Sequence, residues 1–129
     1  MDLYISSNIR NSLIIVILAI VVLVLVFVGI SDGKRQAKSA LILNWASEET
    51  LALEYFYRDN NRFPTADEFA RPEVMGNYFV KAPEGVNIQT EQCPEILKYT
   101  RPRSESYELY FCLPRAQDGY NLGLNQFVR

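Results

Sequence analysis

The stretch ALEYFYRDNNRFPT, residues 52–65, contains the clearest local signal in this chain of 129 residues. Its first half is rich in aliphatic and aromatic residues, and its polar triplet at residues 59–61 precedes Pro64. Asparagine tolerates the left-handed conformation that ends helices, and proline prevents the same helix from resuming. Thr65 and Glu68 then fit a capping box, in which each side chain bonds the other residue's backbone N–H. The stretch therefore predicts the end of a long helix, a turn and the start of a short helix.

Upstream lies an uninterrupted apolar run, LIIVILAIVVLVLVFVGI, at residues 13–30. A helix of this length rises about 27 Å, close to the thickness of a bilayer core. Because the run is apolar on all sides, we predict a single transmembrane helix at 13–30, preceded by an N-terminal flank at 1–12. A cleaved signal peptide is the alternative, since residues 29–31 give a small-x-small site, although the run exceeds the roughly 7–15 residues usual there.

Residues 34–58 contain neither proline nor glycine and are rich in good helix formers, so they predict an amphipathic helix after a short break at 31–33. Two apolar stripes run along it. The first, predicted to lie on a sheet, comprises Ile42, Trp45, Ala52 and Phe56, flanked by Leu41, Leu51 and Tyr55. The second, predicted to be an assembly face for a partner, comprises Leu43, Ala46, Leu53 and Tyr57. The alternative for the second stripe is a helix wrapped more completely by its own domain.

Beyond Gly76 the apolar pattern changes to the period of two that strands show. Candidate strands lie at residues 86–90, 98–101, 107–113 and 120–124. In the third of these, four residues are predicted to share one face: Tyr107, Leu109, Phe111 and Leu113. The fold class predicted is α+β, with a long N-terminal helix on a small antiparallel sheet.

The two cysteines help to predict on which side of the membrane the C-terminal part lies. Cys93 and Cys112 lack the spacing of a metal or redox motif, and a disulfide across their loop would contribute about 3 kcal/mol. Two unrelated buried thiols are the alternative. The basic KRQAK at residues 34–38 would by itself favour a cytoplasmic location, whereas a disulfide favours the outside. We predict that residues 31–129 form an extracytoplasmic head.

Composition argues against several functional classes. The chain has no histidine, which removes the commonest general base and metal ligand. Its 13 basic and 15 acidic residues are interspersed, so we do not expect nucleic acid as a partner. The sequence therefore predicts no enzyme, no catalytic residue, no cofactor and no metal site.

The opening stretch resembles the end of the first helix in the type IV pilin and type II secretion pseudopilin family. The family pattern Ala-Leu-x-x-Tyr-x-x-Asp-Asn-x-x-aromatic-Pro-Thr is matched here by Ala52, Leu53, Tyr55 or Phe56, Asp59, Asn60, Arg62, Phe63, Pro64 and Thr65. The predicted helix-end turn motif comprises Asn60, Asn61, Phe63, Pro64 and Thr65. KRQAK is similar to the basic segment after the pilin span, and YELYFCL with GYNLGLN is similar to the last strands of small pseudopilins.

This resemblance implies a pilin-like fold, a structural subunit of a pilus or secretion-type assembly, and membrane lipid and other pilin-like subunits as partners. Two features depart from the family. The prepilin peptidase site is missing, since Asn11 and Ser12 occupy that junction, and no Glu lies within residues 13–30 to pair with a neighbour's amino terminus. The alternative is an uncleaved single-pass protein that displays a pilin-like domain for binding or as an adaptor.

Overall fold

A computed structural model describes residues 7–86 and 93–129, with side chains from residue 11 onward. The chain divides into two compact units, the first ending at Lys34 and the second beginning at Arg35. The predicted division between span and head, after residue 30, lies four residues earlier than this boundary.

Helix α1, Ser7–Asn60, runs through both units without interruption. The predicted break at residues 31–33 is therefore not present. Ser31 bonds back within the helix, its Oγ donating to the carbonyl of Val28 at 2.9 Å. A single glycine inside a helix costs only about 1 kcal/mol relative to alanine, so Gly33 alone does not end it.

In the first unit, the apolar segment of α1 exposes its side chains on every side. Phe27 is 73% exposed, and even Val21, the least exposed of its large apolar residues, is 48% exposed. In the described part of the chain, one helix is long and apolar enough to cross a membrane, and it lies near the N-terminus.

The second unit, called the head below, contains a three-stranded antiparallel sheet in the order β1-β2-β3. The strands are β1 Leu97–Arg103, β2 Ser106–Leu113 and β3 Gly123–Val128. The α+β prediction, with a long helix on a small antiparallel sheet, is confirmed. Two one-turn helices, α2 Ala66–Phe69 and α3 Pro72–Met75, connect α1 to the rest of the head.

The core of the head lies between α1 and one face of the sheet. Strand β2 alternates as predicted: Tyr107, Leu109, Phe111 and Leu113 are buried. From α1, the core takes Ile42, Ala46 and Leu53, each fully buried.

The assembly face predicted on α1 is corrected by this packing. Ala46 and Leu53 are completely buried in the head's own core, and Leu43 and Tyr57 are partly buried against it. The apolar residues that α1 leaves exposed in the head belong to the first stripe instead: Leu41, Leu51 and Tyr55. The core spans a wider arc of the helix than either predicted stripe, which corresponds to the alternative of a helix wrapped by its own domain.

The last strand begins later than predicted. Asp118 and Gly119 both adopt positive φ values, 51° and 85°, and Gln117 bridges to Tyr120 across them. Tyr120 therefore belongs to a tight turn and β3 starts at Gly123. The predicted strand at 86–90 lies outside the described residues, except for buried Val86.

Candidate functional site

The end of α1 is joined to the sheet through Phe63. This side chain is fully buried, and Asn61 makes the preceding reversal with a left-handed φ of 55°. The N–H of Phe63 donates to the carbonyl of Ser104 at 2.8 Å, and its own carbonyl accepts from Arg101 Nη1 at 2.9 Å. Both backbone groups of Phe63 are thus satisfied by the β1–β2 hairpin, through the turn residue Ser104 and the side chain of Arg101, and this fixes where the helix ends.

The predicted capping box is present just beyond this turn. Thr65 Oγ1 accepts from the N–H of Glu68 at 3.2 Å, and the Glu68 carboxylate accepts from the N–H of Thr65 at 2.7 Å. Arg62 adds a bidentate contact to the same carboxylate, at 2.7 and 2.8 Å. The Arg62 guanidinium, followed by the Thr65 N–H, lowers the pKa of Glu68 to about 2.

Aromatic rings join this turn to the core. Phe63 stacks on Tyr57, with centroids 4.7 Å apart, and meets the edge of Tyr107 at 4.8 Å. The guanidinium of Arg129 lies over Tyr57 and Phe63, and it also pairs with Glu54 of α1. The predicted turn motif is therefore a structural joint between helix, turn and sheet.

The opposite face of the sheet contains a shallow concave surface. Cys93 and Cys112 form a disulfide there, with Cα atoms 5.9 Å apart, so the pair proposed from the sequence is brought together. A cavity of about 480 Å³ lies beside it. Its lining residues are Pro94, Glu95, Lys98, Thr100, Tyr110 and Leu124.

A second cavity, of about 250 Å³, opens at the surface of the head beside α1. It is called the Glu49 cavity below, and its lining residues are Trp45, Glu49, Phe69, Ala70, Met75, Phe79, Val80, Ala82 and Leu97. Glu49 is the single charged residue among them and is only 4% exposed. Trp45 Nε1 donates to Glu49 Oε1 at 3.2 Å.

Burial dominates the electrostatics of Glu49. Desolvation raises the pKa of Glu49 to about 7, with a smaller contribution from the neighbouring Glu48 carboxylate and an opposing one from the Trp45 hydrogen bond. Among the described residues, none of the ion pairs includes Glu49. Burial therefore holds the pKa of this carboxyl group well above its usual range.

The sequence analysis did not identify Glu49 as a buried group. The signal was available in the helical period: Ile42, Ala46, Leu53 and Phe56 surround position 49 at intervals of three or four residues and are all buried. A glutamate inside such a stripe is expected to be buried too.

No protein-family model matches the chain, and no curated protein or solved structure is significantly similar to it. Within the described residues, no group of three or more His, Cys, Asp or Glu side chains is placed to hold a metal ion.

The central place of Phe63 in the core predicts that truncating its side chain destabilises the head strongly. Phe63→Ala should lower the free energy of unfolding by about 3–5 kcal/mol, since it removes a fully buried ring. Tyr55→Ala, which truncates a ring 51% exposed on α1, is the matched control and should cost about 0.5 kcal/mol or less. Urea unfolding of the full chain in maltoside micelles measures both. Equal losses for the two variants would contradict the role given to Phe63.

Glu49 predicts an unusual pH dependence. Between its unfolded pKa of 4.5 and its folded pKa of about 7, the folded state holds a proton that the unfolded state has released, so stability falls as pH rises through this window. The loss amounts to at most about 3 kcal/mol. Glu68 has the opposite shift and acts below pH 4.5, outside this window.

Unfolding at pH 5 and pH 8 should therefore show this loss in the natural chain and in Glu48→Gln, and show it largely abolished in Glu49→Gln. Glutamine keeps the shape of the side chain and an oxygen for Trp45. An unchanged pH dependence in Glu49→Gln would show that Glu49 is not the group that titrates.

Proposed function

We propose that this chain is a pilin-like or pseudopilin-like membrane-anchored structural subunit of a type IV pilus or type II secretion-type assembly, with its head outside the cytoplasm. The observation that carries the proposal is the continuity of α1, Ser7–Asn60. This single helix contains both an exposed apolar segment of 18 residues and the central helix of a packed head.

The exposed segment supports a membrane anchor. Its large apolar side chains remain 48–73% exposed, and the core of the head is built from other residues, beginning at Ile42. Leaving such a surface in water is costly, at about 25 cal/mol for each Å² of apolar area. Lipid removes that cost, because the backbone of a helix is already satisfied internally.

The exposed face of α1 in the head supports contacts with neighbouring subunits. Leu41, Leu51 and Tyr55 are 46%, 58% and 51% exposed and lie on the same side of the helix. We assign the assembly contacts of the head to this face, in place of the buried stripe. A neighbouring helix with a similar apolar face would cover these side chains.

The disulfide supports the proposed location of the head. Cys93 and Cys112 are joined across a separation of 19 residues, and such bonds persist in oxidising compartments outside the cytoplasm. The basic residues that follow the apolar segment favour the opposite orientation under the positive-inside rule. We give the disulfide more weight, because a basic segment at this place is also usual in the family that the chain resembles.

A second candidate function is a permanently anchored protein that displays the head as a binding or adaptor domain. The concave surface beside the disulfide favours it, since its cavity of about 480 Å³ combines the charged Lys98 and Glu95 with the partly apolar Tyr110 and Leu124. The absence of an acidic residue from 13–30 favours it too, because the inter-subunit charge pair of the family cannot form.

Site-specific photocrosslinking in native membranes tests the proposal. A benzophenone amino acid at Tyr55, on the exposed face of α1, should give adducts with another copy or another pilin-like subunit. The same group at Lys81, whose side chain is 81% exposed in a loop of the head, is the matched control and should give far fewer.

A third position, Lys98, lies at the concave surface on the opposite face of the sheet. Adducts from Lys98 alone, to a protein of another class, would support the adaptor function over assembly. If Tyr55 gives no adduct with any pilin-like subunit, the structural-subunit proposal is wrong.

A further inference from the structure

The Glu49 cavity combines three features that ligand sites share: concavity, a mostly apolar lining and one polar group placed inside. It lies between α1, the one-turn helices that follow it, the loop at residues 79–82 and the first residue of β1. Three of its lining side chains are aromatic, namely Trp45, Phe69 and Phe79.

Among the described residues of this cavity, Glu49 has a buried carboxyl group with few partners to offset the cost of its burial. Burying a carboxylate is costly unless a cation or several hydrogen bonds accompany it. Here the described contacts supply one hydrogen bond, from Trp45, and no ion pair. A cation that entered the cavity would supply the missing charge.

The aromatic lining restricts the kind of cation. A metal ion would require several oxygen ligands, whereas the lining residues that the structure describes include a single carboxylate. Aromatic faces attract alkylammonium ions, whose charge is spread over an apolar surface, and a carboxylate strengthens that attraction. The small residues Ala70 and Ala82 leave room beside the rings.

We propose that the Glu49 cavity is a binding site for an alkylammonium group, held between Glu49 and the aromatic side chains of Trp45, Phe69 and Phe79. The group is either a free quaternary amine or the side chain of a lysine on a partner protein, and both share this chemistry. The site is independent of membrane assembly, since every residue in it belongs to the head.

Binding should follow the ionisation of Glu49. The lining residues contributed by α2, α3, the loop and β1 are all uncharged, and Glu48 on α1 is the further charged group that acts on Glu49. With the pKa of Glu49 at about 7, the ionised fraction rises about tenfold between pH 6 and pH 8. Affinity for a ligand of fixed charge should rise by a similar factor.

Trp45 provides the assay, because it is the single tryptophan of the chain. The full chain in maltoside micelles is titrated with choline, whose charge does not depend on pH, while Trp45 fluorescence is recorded at pH 6 and pH 8. The neutral isostere 3,3-dimethyl-1-butanol and Nα-acetyl-lysine methylamide are titrated in parallel. We expect saturable binding of an ammonium ligand, at least tenfold tighter than the neutral isostere at pH 8.

The variants separate charge from shape. Glu49→Gln should weaken ammonium binding about tenfold or more and remove its pH dependence, whereas Glu48→Gln should leave both nearly unchanged. Phe79→Ala, at a ring 43% exposed at the edge of the cavity, gives a second variant that should fold and should weaken binding several-fold. Isothermal titration calorimetry repeats the comparison without relying on Trp45.

Stronger binding of choline than of the lysine analogue would identify a quaternary amine, and the reverse would identify a lysine of a partner protein. Equal affinity for choline and 3,3-dimethyl-1-butanol would overturn the proposal, because the cavity would then be merely apolar. So would the absence of saturable binding by either ammonium ligand at pH 8, or an affinity unchanged in Glu49→Gln.

Discussion

The structure of the head depends on Phe63, just beyond the end of α1. There the backbone needs hydrogen-bond partners and an aromatic ring must be buried, and Phe63 meets both requirements. Its ring packs in the core between Tyr57 and Tyr107. Its N–H donates to Ser104 in the β1–β2 turn, and its carbonyl accepts from the Arg101 side chain. Because one residue is fixed from the helix side and from the sheet side, the position of α1 along the sheet is fixed with it. The capping box and the one-turn helices follow from that point.

The two parts of α1 differ in the exposure of their side chains. The segment at 13–30 has no polar face at all, whereas the part within the head buries Ile42, Ala46 and Leu53 completely. Glu49 is an exception within the buried part, since it costs stability when ionised and gains no cation in return among the described residues. A buried carboxyl group that lowers stability when it ionises is consistent with a cationic ligand, such as the proposed alkylammonium group.

Local signals allowed the helix end and much of the fold to be predicted. Patterns within a few residues predicted the capping box and the strand at 107–113. The even number of cysteines, two, predicted the disulfide. The division of α1 between core and surface was predicted wrongly, because the sheet covers a wider arc of the helix than one stripe and Ala46 and Leu53 fall within it. The start of β3 was placed three residues too early, because Tyr120 bridges back to Gln117 around the turn and pairing with β2 begins only at Gly123. Glu49 was missed although its helical spacing from Ala46 and Leu53 places it among buried residues; the cavity beside it depends on residues 69–82, far along the chain.

The account depends most on a head that is outside the cytoplasm and attached to the membrane by α1. The direct measurement is the oxidation state of Cys93 and Cys112 in protein recovered from washed native membranes, after acid quenching and alkylation, by mass spectrometry. We predict that the protein stays with the membrane and that the two cysteines are found joined and unalkylated. Two alkylated thiols would place the head in a reducing compartment, and recovery in the soluble fraction would remove the anchor; either result would contradict the account.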